Sequence, residues 1–282
     1  NSLCQGQQVP ITWKIIQQRG FKIRFAHTSF KWSNLAIKKA GVTVVITGID
    51  RDQGGQRFIY TDSKSKSVDN INPYLTEHPI SGIVEKKRPI SSLSPMEYGV
   101  YYSKSAKLIL NIDERKSLIA EGLNPNFVRR FIGSTEYINA TERFCLWIAD
   151  NELAEAENTP GVSERIASVR RDRLESIDTA ANKLALKSHQ FRERKGDEAT
   201  KIFIPIVSSE NREYLPAGVA DHGVIPTNKA FYIPEAPLWN MALIASRLHW
   251  VWIGTVCVRM RTDFSYSNTL GWNTFPVPTL TE

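Results

Sequence analysis

A short stretch near the end of the sequence most constrains the fold, because its polar and apolar side chains alternate. Between Thr255 and Asp263, the apolar residues Val256, Val258 and Met260 alternate with Thr255, Cys257, Arg259 and Arg261. Strict alternation predicts a β-strand with one face buried and the other exposed. Cys257, Arg259 and Arg261 share the polar face, and the two arginines stand about 7 Å apart along the strand. We expect a rigid platform from which two guanidinium groups contact a ligand.

The charge balance favours a polyanionic ligand. The chain has 282 residues and a net charge of +7, and its length favours two domains, each able to bury a core. A basic excess of this size is typical of proteins that bind nucleic acid, although it does not require such a partner. Cys4, Cys145 and Cys257 are far apart and odd in number, which argues against a disulfide framework and favours a reducing, cytoplasmic location.

Hydrophobic periodicity divides the chain into two parts. In the first part, it predicts a helix over residues 7–18 and strands over residues 21–27 and 42–49. This order is typical of the end of an α/β sheet. Residues 51–98 are rich in Asp, Ser, Lys, Pro and Gly, and we expect an irregular connector there.

The second part is predicted to be a mixed α+β domain. We expect a helix over residues 108–122, two short strands around a turn within 131–150, and a long helix over 163–190. Strands are expected at 201–207 and about 230–233, and a further helix at about 237–250 leads into the alternating strand. Arg170, Arg171 and Arg173 lie off the apolar stripe of the long helix.

Recognisable catalytic motifs are absent from the sequence. It contains neither GxGxxG nor GxxxxGK followed by Ser or Thr, so nucleotide phosphates have no obvious binding loop. The five histidines are isolated from one another, and no metal site is predicted. We therefore expect no catalytic residue within this chain. Since the chain opens on NSLCQGQQVP and not on methionine, we also expect it to be a piece of a longer protein.

Five separated segments resemble the successive signatures of one protein family. They read NSLCQGQQV, FAHTSFKWSN followed by GVTVVITGI, GSTEYINATERFCLWIAD, VSSENREYLP, and DFSYSNTLGWNTFPVP. Together they resemble the MmeI-like, or type IIL, restriction-modification methyltransferases, which use S-adenosylmethionine to methylate the N6 atom of adenine in DNA. The segment NTFPVP departs from the more usual NTFPWP, a change that Val277 can accommodate by packing.

The resemblance implies a fold class and a division into domains. The expected fold is α/β, with the C-terminal fragment of a Rossmann-like methyltransferase sheet followed by an α+β target-recognition domain. Residues 1–60 would belong to the methyltransferase domain, residues 61–99 to a connector, and residues 100–282 to the DNA-binding domain. In this family the cofactor-binding glycine motif and the catalytic NPPY or NPPF motif lie upstream of NSLC. We therefore expect this chain to bind no S-adenosylmethionine, although the full-length enzyme would use it.

The resemblance also assigns candidate residues for a flipped-out base. In adenine methyltransferases, the loop between the sixth and seventh strands supplies an aromatic ring that stacks on the extruded adenine. Phe30 is the first candidate and Trp32 the second. The alternative is that both rings are core side chains that anchor the loop.

The remaining candidates would contact double-stranded DNA. Arg259 and Arg261 would read base edges, since a guanidinium can hold the O6 and N7 atoms of guanine, and Cys257 would share that face. The alternative is a solvated strand face or an ion pair, for instance with Asp263. Cations expected to contact phosphates are Arg170, Arg171, Arg173 and Arg212. Charged helix faces are usually only solvated, and Arg212 could equally tie its loop to the core.

Two other functional classes remain open at this point. The chain could be a stand-alone DNA-binding specificity module without enzymatic activity, although methyltransferase-like strands would then be unnecessary. It could also be an interaction protein without a nucleic-acid role. In that case, binding to duplex DNA would show no steep dependence on salt.

Overall fold

The computed structural model describes residues 2–32, 42–62, 64–79, 82–260 and 263–278. The fold is α/β, with several small sheets, and the chain divides into two compact units. Unit 1 contains Asn1–Pro95, Val207–Leu215 and Ala242–Glu282, and unit 2 contains Met96–Ile206 and Pro216–Met241.

The regular elements are numbered along the chain. The strands are β1 (Phe21–Trp32), β2 (Val42–Arg51), β3 (Arg57–Thr61), β4 (Lys64–Val68), β5 (Glu97–Tyr98), β6 (Ile109–Leu110), β7 (Val128–Ile132), β8 (Phe144–Leu146), β9 (Lys201–Pro205), β10 (Val207–Ser208), β11 (Gly218–Ala220), β12 (Val224–Pro226), β13 (Ala230–Pro234), β14 (Arg259–Met260) and β15 (Asp263–Ser265). The helices are α1 (Gln8–Gln18), α2 (Ile112–Ala120), α3 (Ser134–Asn139), α4 (Leu153–Ala156), α5 (Pro160–Leu174), α6 (Thr179–Lys183), α7 (Leu238–Ile244) and α8 (Arg247–Val256).

Unit 1 contains a four-stranded sheet in the order β2-β1-β3-β4. Strand β1 pairs antiparallel with β2 and parallel with β3. The helix predicted at 7–18 is confirmed as α1, which buries Val9 and Trp13 one helical turn apart. Gly20, at φ +79°, then turns the chain into β1 without the steric cost that a side chain would add.

The strands of this sheet differ from the predictions in extent. Strand β1 continues to Trp32 and therefore includes residues that we expected in a loop. The strand at 42–49 is confirmed as β2. The region 51–98 is not wholly irregular, because β3 and β4 form an antiparallel pair within it. Their side chains are mostly polar or exposed, which hid the strand signal.

The prediction of a strand from Thr255 to Asp263 is wrong at its start. Helix α8 runs to Val256, and only Arg259 and Met260 form β14 before the hairpin partner β15. The apolar spacing of His249, Trp250, Ile253 and Val256 is helical, and these four side chains are buried. That stripe extends into the alternating stretch and determines the local structure. Val258 and Met260, expected to face a core, are exposed.

Unit 2 contains two four-stranded sheets and one large apolar core. The strand orders are β11-β9-β13-β5 and β12-β7-β8-β6. The core packs against α2 and α5 through Leu118, Val162 and Val169. The predicted strands at 201–207 and 230–233 are confirmed as β9 and β13, which pair with each other antiparallel.

Three other predictions for unit 2 are met in part. Helix α2 lies within 108–122 and begins at a capping box in which Asn111 and Glu114 exchange hydrogen bonds. Two strands, β7 and β8, do pair around the 131–150 region, but the short helix α3 lies between them. The long helix predicted at 163–190 is confirmed only over its first part, because α5 ends at Leu174. Asp178 then caps the separate helix α6 by accepting a hydrogen bond from the Ala180 backbone N–H.

No helix in the described ranges combines the length and the hydropathy that crossing a bilayer requires.

Candidate nucleic-acid interface

The end of strand β1 carries the aromatic candidates for base stacking. Phe30 and Trp32 pair with Val44 and Val42 of β2, after a register shift between His27 and Phe30. The Phe30 ring lies 6.5 Å from the His27 ring, edge-on, and 6.5 Å from the Trp32 ring. Trp32 is 52% exposed and Phe30 is half-buried. A regular strand thus holds both rings, where we expected a loop, and leaves part of each ring accessible.

Arg259 is positioned by the small sheet β10-β15-β14 of the same unit. It pairs with Phe264 of β15, and the guanidinium lies over that ring, 4.3 Å from its centroid. Ser208 of β10 pairs with Phe264 from the other side, so the loop that follows β10 reaches the arginine. There Glu210 Oε2 lies 3.6 Å from Arg259 Nη1. Burial lowers the pKa of Arg259, an effect that Glu210 opposes.

The aromatic strand end and the arginine line one cavity within unit 1. This cavity has a volume of about 440 Å³, and its walls combine an aromatic ring, hydroxyls, two cations and two carboxylates. The lining residues are Ser29, Phe30, Lys31, Thr43, Asp62, Glu210 and Arg259. An aromatic face together with fixed donors and acceptors is a suitable surface for a planar, hydrogen-bonding ligand such as a nucleobase.

Cys257 does not belong to this site. Its side chain is 1% exposed, and burial raises the pKa of the thiol to about 12. The residue follows the end of helix α8, and its N–H donates to Ile253 O. Its Sγ packs closely against Gly271, since a Cβ added to that glycine would lie only 3.0 Å from the sulfur. The prediction that Cys257 faces DNA beside Arg259 is therefore wrong, because the last turn of a helix points it into the core. Arg261, the second predicted base reader, lies outside the described residues.

Arg173 is also a structural residue and not a phosphate contact. It is 2% exposed. Its Nη1 atom donates to Leu184 O at 2.6 Å and Lys187 O at 2.8 Å, and its Nη2 atom donates to Ser105 Oγ at 2.8 Å and Gln190 O at 2.7 Å. The chain after α5 thus wraps around the guanidinium. The position of Arg173 off the expected apolar stripe gave no sign of this burial.

The other phosphate candidates remain accessible. Arg170 and Arg171 are exposed on α5 of unit 2, and Arg212 is exposed in unit 1. Arg212 lies two residues after Glu210, and its N–H donates to Ser209 O within the turn. None of these three arginines forms an ion pair with another described residue. Phosphate contact by each of them stays a prediction.

Sequence reasoning missed Glu210 and Asp62 as parts of this site. The motif containing Glu210 was visible, but its sequence does not indicate an arginine partner almost fifty residues later. The pairing of β10 with β15 brings Glu210 close to Arg259. Across the described ranges, no group of His, Cys, Asp and Glu side chains is arranged to hold a metal ion.

Two family models match successive parts of the chain. Residues 1–61 match the model described as "MmeI, DNA-methyltransferase domain", and residues 78–279 match "MmeI, target recognition domain". The chain belongs to the MmeI family. It therefore contains a segment of an MmeI methyltransferase domain followed by an MmeI target recognition domain.

Curated and solved relatives agree with this assignment. The chain is 37% identical to DNA methyltransferase A of Bacillus subtilis (strain 168), over 99% of its own length and 32% of that protein. It also matches the structure of the type IIL restriction-modification enzyme MmeI in complex with DNA, with a TM-score of 0.90 and 32% identity. That match covers 100% of this chain and 38% of the solved chain. The chain thus spans about a third of the length of these relatives.

Proposed function

We propose that this chain is the sequence-recognition portion of a DNA adenine-N6 methyltransferase of a restriction-modification or phage-defence system. The observation that carries the proposal is the cavity in which Phe30, Lys31, Glu210 and Arg259 come together, in a chain that belongs to the MmeI family. Its partner would be double-stranded DNA, which agrees with the net charge of +7. Residues 1–60 would complete a methyltransferase domain, residues 61–99 would connect, and residues 100–282 would recognise the target.

The cofactor of such an enzyme would be S-adenosylmethionine, and we infer that its site lies outside this chain. The sequence has neither a glycine-rich cofactor motif nor NPPY or NPPF, and the cavity at Phe30 is lined by side chains rather than by a glycine turn. Residues outside this chain would hold the cofactor and carry out methyl transfer. We expect isothermal titration calorimetry to detect no binding of S-adenosylmethionine to the 282-residue chain, and micromolar affinity would contradict this assignment.

Arg259 and Phe30 would have distinct roles on DNA. A guanidinium already held by Phe264 and Glu210 loses little side-chain entropy when it binds a base edge, and it can donate two hydrogen bonds to guanine. An aromatic ring at the end of β1 can stack on a base extruded from the duplex. The two side chains line the same cavity, which supports a site at which recognition and base extrusion are close together.

The direct test of the proposal uses the full-length protein. Arg259→Ala should relax the choice at one base pair of the methylated site, at a cost of about 1–3 kcal/mol for the preferred base. Sequencing that detects N6-methyladenine on a randomised target library measures this change. A uniform loss of methylation over all sequences would instead make Arg259 a phosphate contact, and the absence of N6-methyladenine from wild-type reactions would contradict the proposed activity.

A second candidate is a DNA-binding specificity module without enzymatic activity. The target recognition domain covers residues 78–279 and accounts for most of the chain, which favours a role in binding. The two candidates differ in one measurement. A methyltransferase labels its target when S-adenosylmethionine is supplied to the full-length protein, whereas a stand-alone module binds the same target without labelling it.

A further inference from the structure

A basic segment of unit 1 lies within residues 61–99, which the sequence predicts to be a connector. Residues 83–94 have no helix or strand, and we call them the basic strap because Lys86, Lys87 and Arg88 are consecutive within them. These three side chains are exposed. None of them forms an ion pair with a residue in the described part of the chain.

The strap is fixed through its main chain. Lys86 N donates to Thr269 O at 2.9 Å, and Lys86 O accepts from Asn273 Nδ2 at 2.8 Å. Ile90 N then donates to Asn273 O at 2.9 Å. These bonds hold the stretch that contains the three cations against the last helical turn of unit 1, Asn268–Trp272, and the residues after it. Because backbone atoms make most of these contacts, the cationic side chains are left for solvent or a ligand.

Both ends of the strap are anchored as well. At its start, Ile83 N donates to Tyr74 Oη at 2.8 Å. Towards its end, Ser91 Oγ donates to Phe275 O at 3.0 Å, and Trp272 Nε1 donates to Ser94 O at 2.8 Å. An irregular segment that is hydrogen-bonded at its start, middle and end is not a flexible linker. Ordering it on a ligand therefore costs little entropy.

Glu85, the nearest acidic residue in sequence, forms no ion pair with the three cations. Glu85 Oε2 accepts from Gln7 Nε2 at 2.5 Å and from Thr269 Oγ1 at 3.1 Å. This carboxylate thus belongs to the anchoring of the strap. Three adjacent charges on an ordered backbone, which form no ion pair within the described ranges, are favourable for a ligand with regularly repeated negative groups.

We propose that Lys86, Lys87 and Arg88 bind the phosphodiester backbone of duplex DNA. The inference rests on the proposed function and adds to it a second contact region, distinct from the Phe30 and Arg259 cavity. Such contacts position the protein on the duplex and carry no sequence information. The strap would hold the target while the cavity residues select and receive a base.

The test measures how DNA binding by the full-length protein depends on salt. Each lost phosphate contact lowers the slope of log affinity against log salt by about 0.9, so Lys86→Gln/Lys87→Gln/Arg88→Gln should lower it by about 2.7. Between roughly 50 and 200 mM salt, the affinity of this variant should then fall about 40-fold less than that of the wild type. Fluorescence anisotropy with a labelled duplex measures both quantities, and the effect should be the same for target and non-target sequences.

Two control variants make the result specific to the strap. Lys107→Gln/Lys116→Gln/Lys183→Gln removes the same charge from exposed lysines of unit 2, and it should leave the slope within about 0.5 of the wild type. Lys86→Arg/Lys87→Arg/Arg88→Lys keeps the charge and should keep the wild-type slope. Urea unfolding midpoints equal to the wild type confirm that the side-chain changes leave the strap folded.

The outcomes separate this inference from the proposed function. An unchanged slope in the strap variant, with steep wild-type salt dependence, overturns the strap proposal alone. An equal loss in the control triple variant also overturns it, because net charge would then explain the effect. A wild-type protein that binds DNA without salt dependence overturns the proposed function together with this inference.

Discussion

Truncation of Arg173 should destabilise unit 2 strongly, since its guanidinium is 2% exposed and joins three carbonyls to one hydroxyl. Arg173→Ala leaves these four acceptors without their donor. A buried polar group that loses its partner costs about 1–3 kcal/mol, and water can reach the partly buried carbonyls. We therefore expect a loss of at least about 3 kcal/mol in the free energy of unfolding, a large fraction of the stability of a typical domain.

Urea unfolding monitored by tryptophan fluorescence measures this loss, and the same helix offers matched controls. Arg170→Ala and Arg171→Ala remove the same charge from exposed positions of α5, and their stability should stay within about 0.5 kcal/mol of the wild type. Arg173→Lys keeps the charge but not the planar group that donates to all four acceptors. Its stability should lie between those of the wild type and Arg173→Ala.

DNA binding distinguishes the structural role of Arg173 from the phosphate contact that the sequence suggested. If Arg173 is structural, the affinity lost in Arg173→Ala follows the fraction of unfolded protein, and the salt slope of the folded fraction does not change. A variant as stable as the wild type, with a salt slope lower by about 0.9, would refute the structural role and restore the phosphate contact.

Three further perturbations test other parts of the structure. Burial lowers the pKa of His249 to about 3, so between pH 6.5 and 3 the unfolded chain takes up a proton that the folded chain does not, and the free energy of unfolding falls as pH decreases. His249→Gln should reduce this pH dependence by up to about 1.4 kcal/mol per pH unit, as measured by urea titrations at several pH values. An unchanged pH dependence would contradict the burial of His249. Cys257→Ser should leave the base preference of methylation unchanged because the side chain is buried, whereas an altered preference at one base pair would restore Cys257 as a reader. Glu210→Gln should change the free energy of unfolding by less than about 1 kcal/mol, since the pair with Arg259 is partly exposed. It should nevertheless broaden the base preference that depends on Arg259. Identical base preferences of the variant and the wild type on a target library would show that Glu210 does not orient the arginine.

Elements with a single dominant periodicity were predictable from the sequence. Val9 and Trp13 lie one helical turn apart, and Gly20 follows the helix that they define as α1. The runs at β9 and β13 are apolar and buried along most of their length, so a strand is the arrangement that buries them in so few residues. In these segments, the local pattern and the tertiary environment favour the same structure.

Predictions were wrong where two patterns overlapped or where a polar residue ended an element. Val256 belongs both to the helical stripe of α8 and to the alternating stretch, and burial of Val256 and Cys257 favoured the helix. Asp178 lies inside an apparently continuous stripe, but its side chain caps α6 and separates it from α5. The apolar stripe of the predicted long helix did not reveal that Arg173 has acceptors within residues 184–190 and at Ser105. Such outcomes depend on tertiary contacts, which periodicity does not describe.

The candidate site also depends on tertiary contacts that the sequence pattern does not describe, in this case those of a segment of nine residues. Val207–Leu215 belongs to unit 1, although the chain before it and after it belongs to unit 2. Strand β10 enters the small sheet beside β15, and this pairing places Glu210 against Arg259. The sequence therefore contained Phe30, Glu210 and Arg259 in three distant stretches, FAHTSFKWSN, VSSENREYLP and the region before DFSYSN, without indicating that they line one cavity. Because the segment Val207–Leu215 supplies the Glu210 carboxylate that lies near Arg259, shortening this segment should impair base recognition while leaving unit 2 folded.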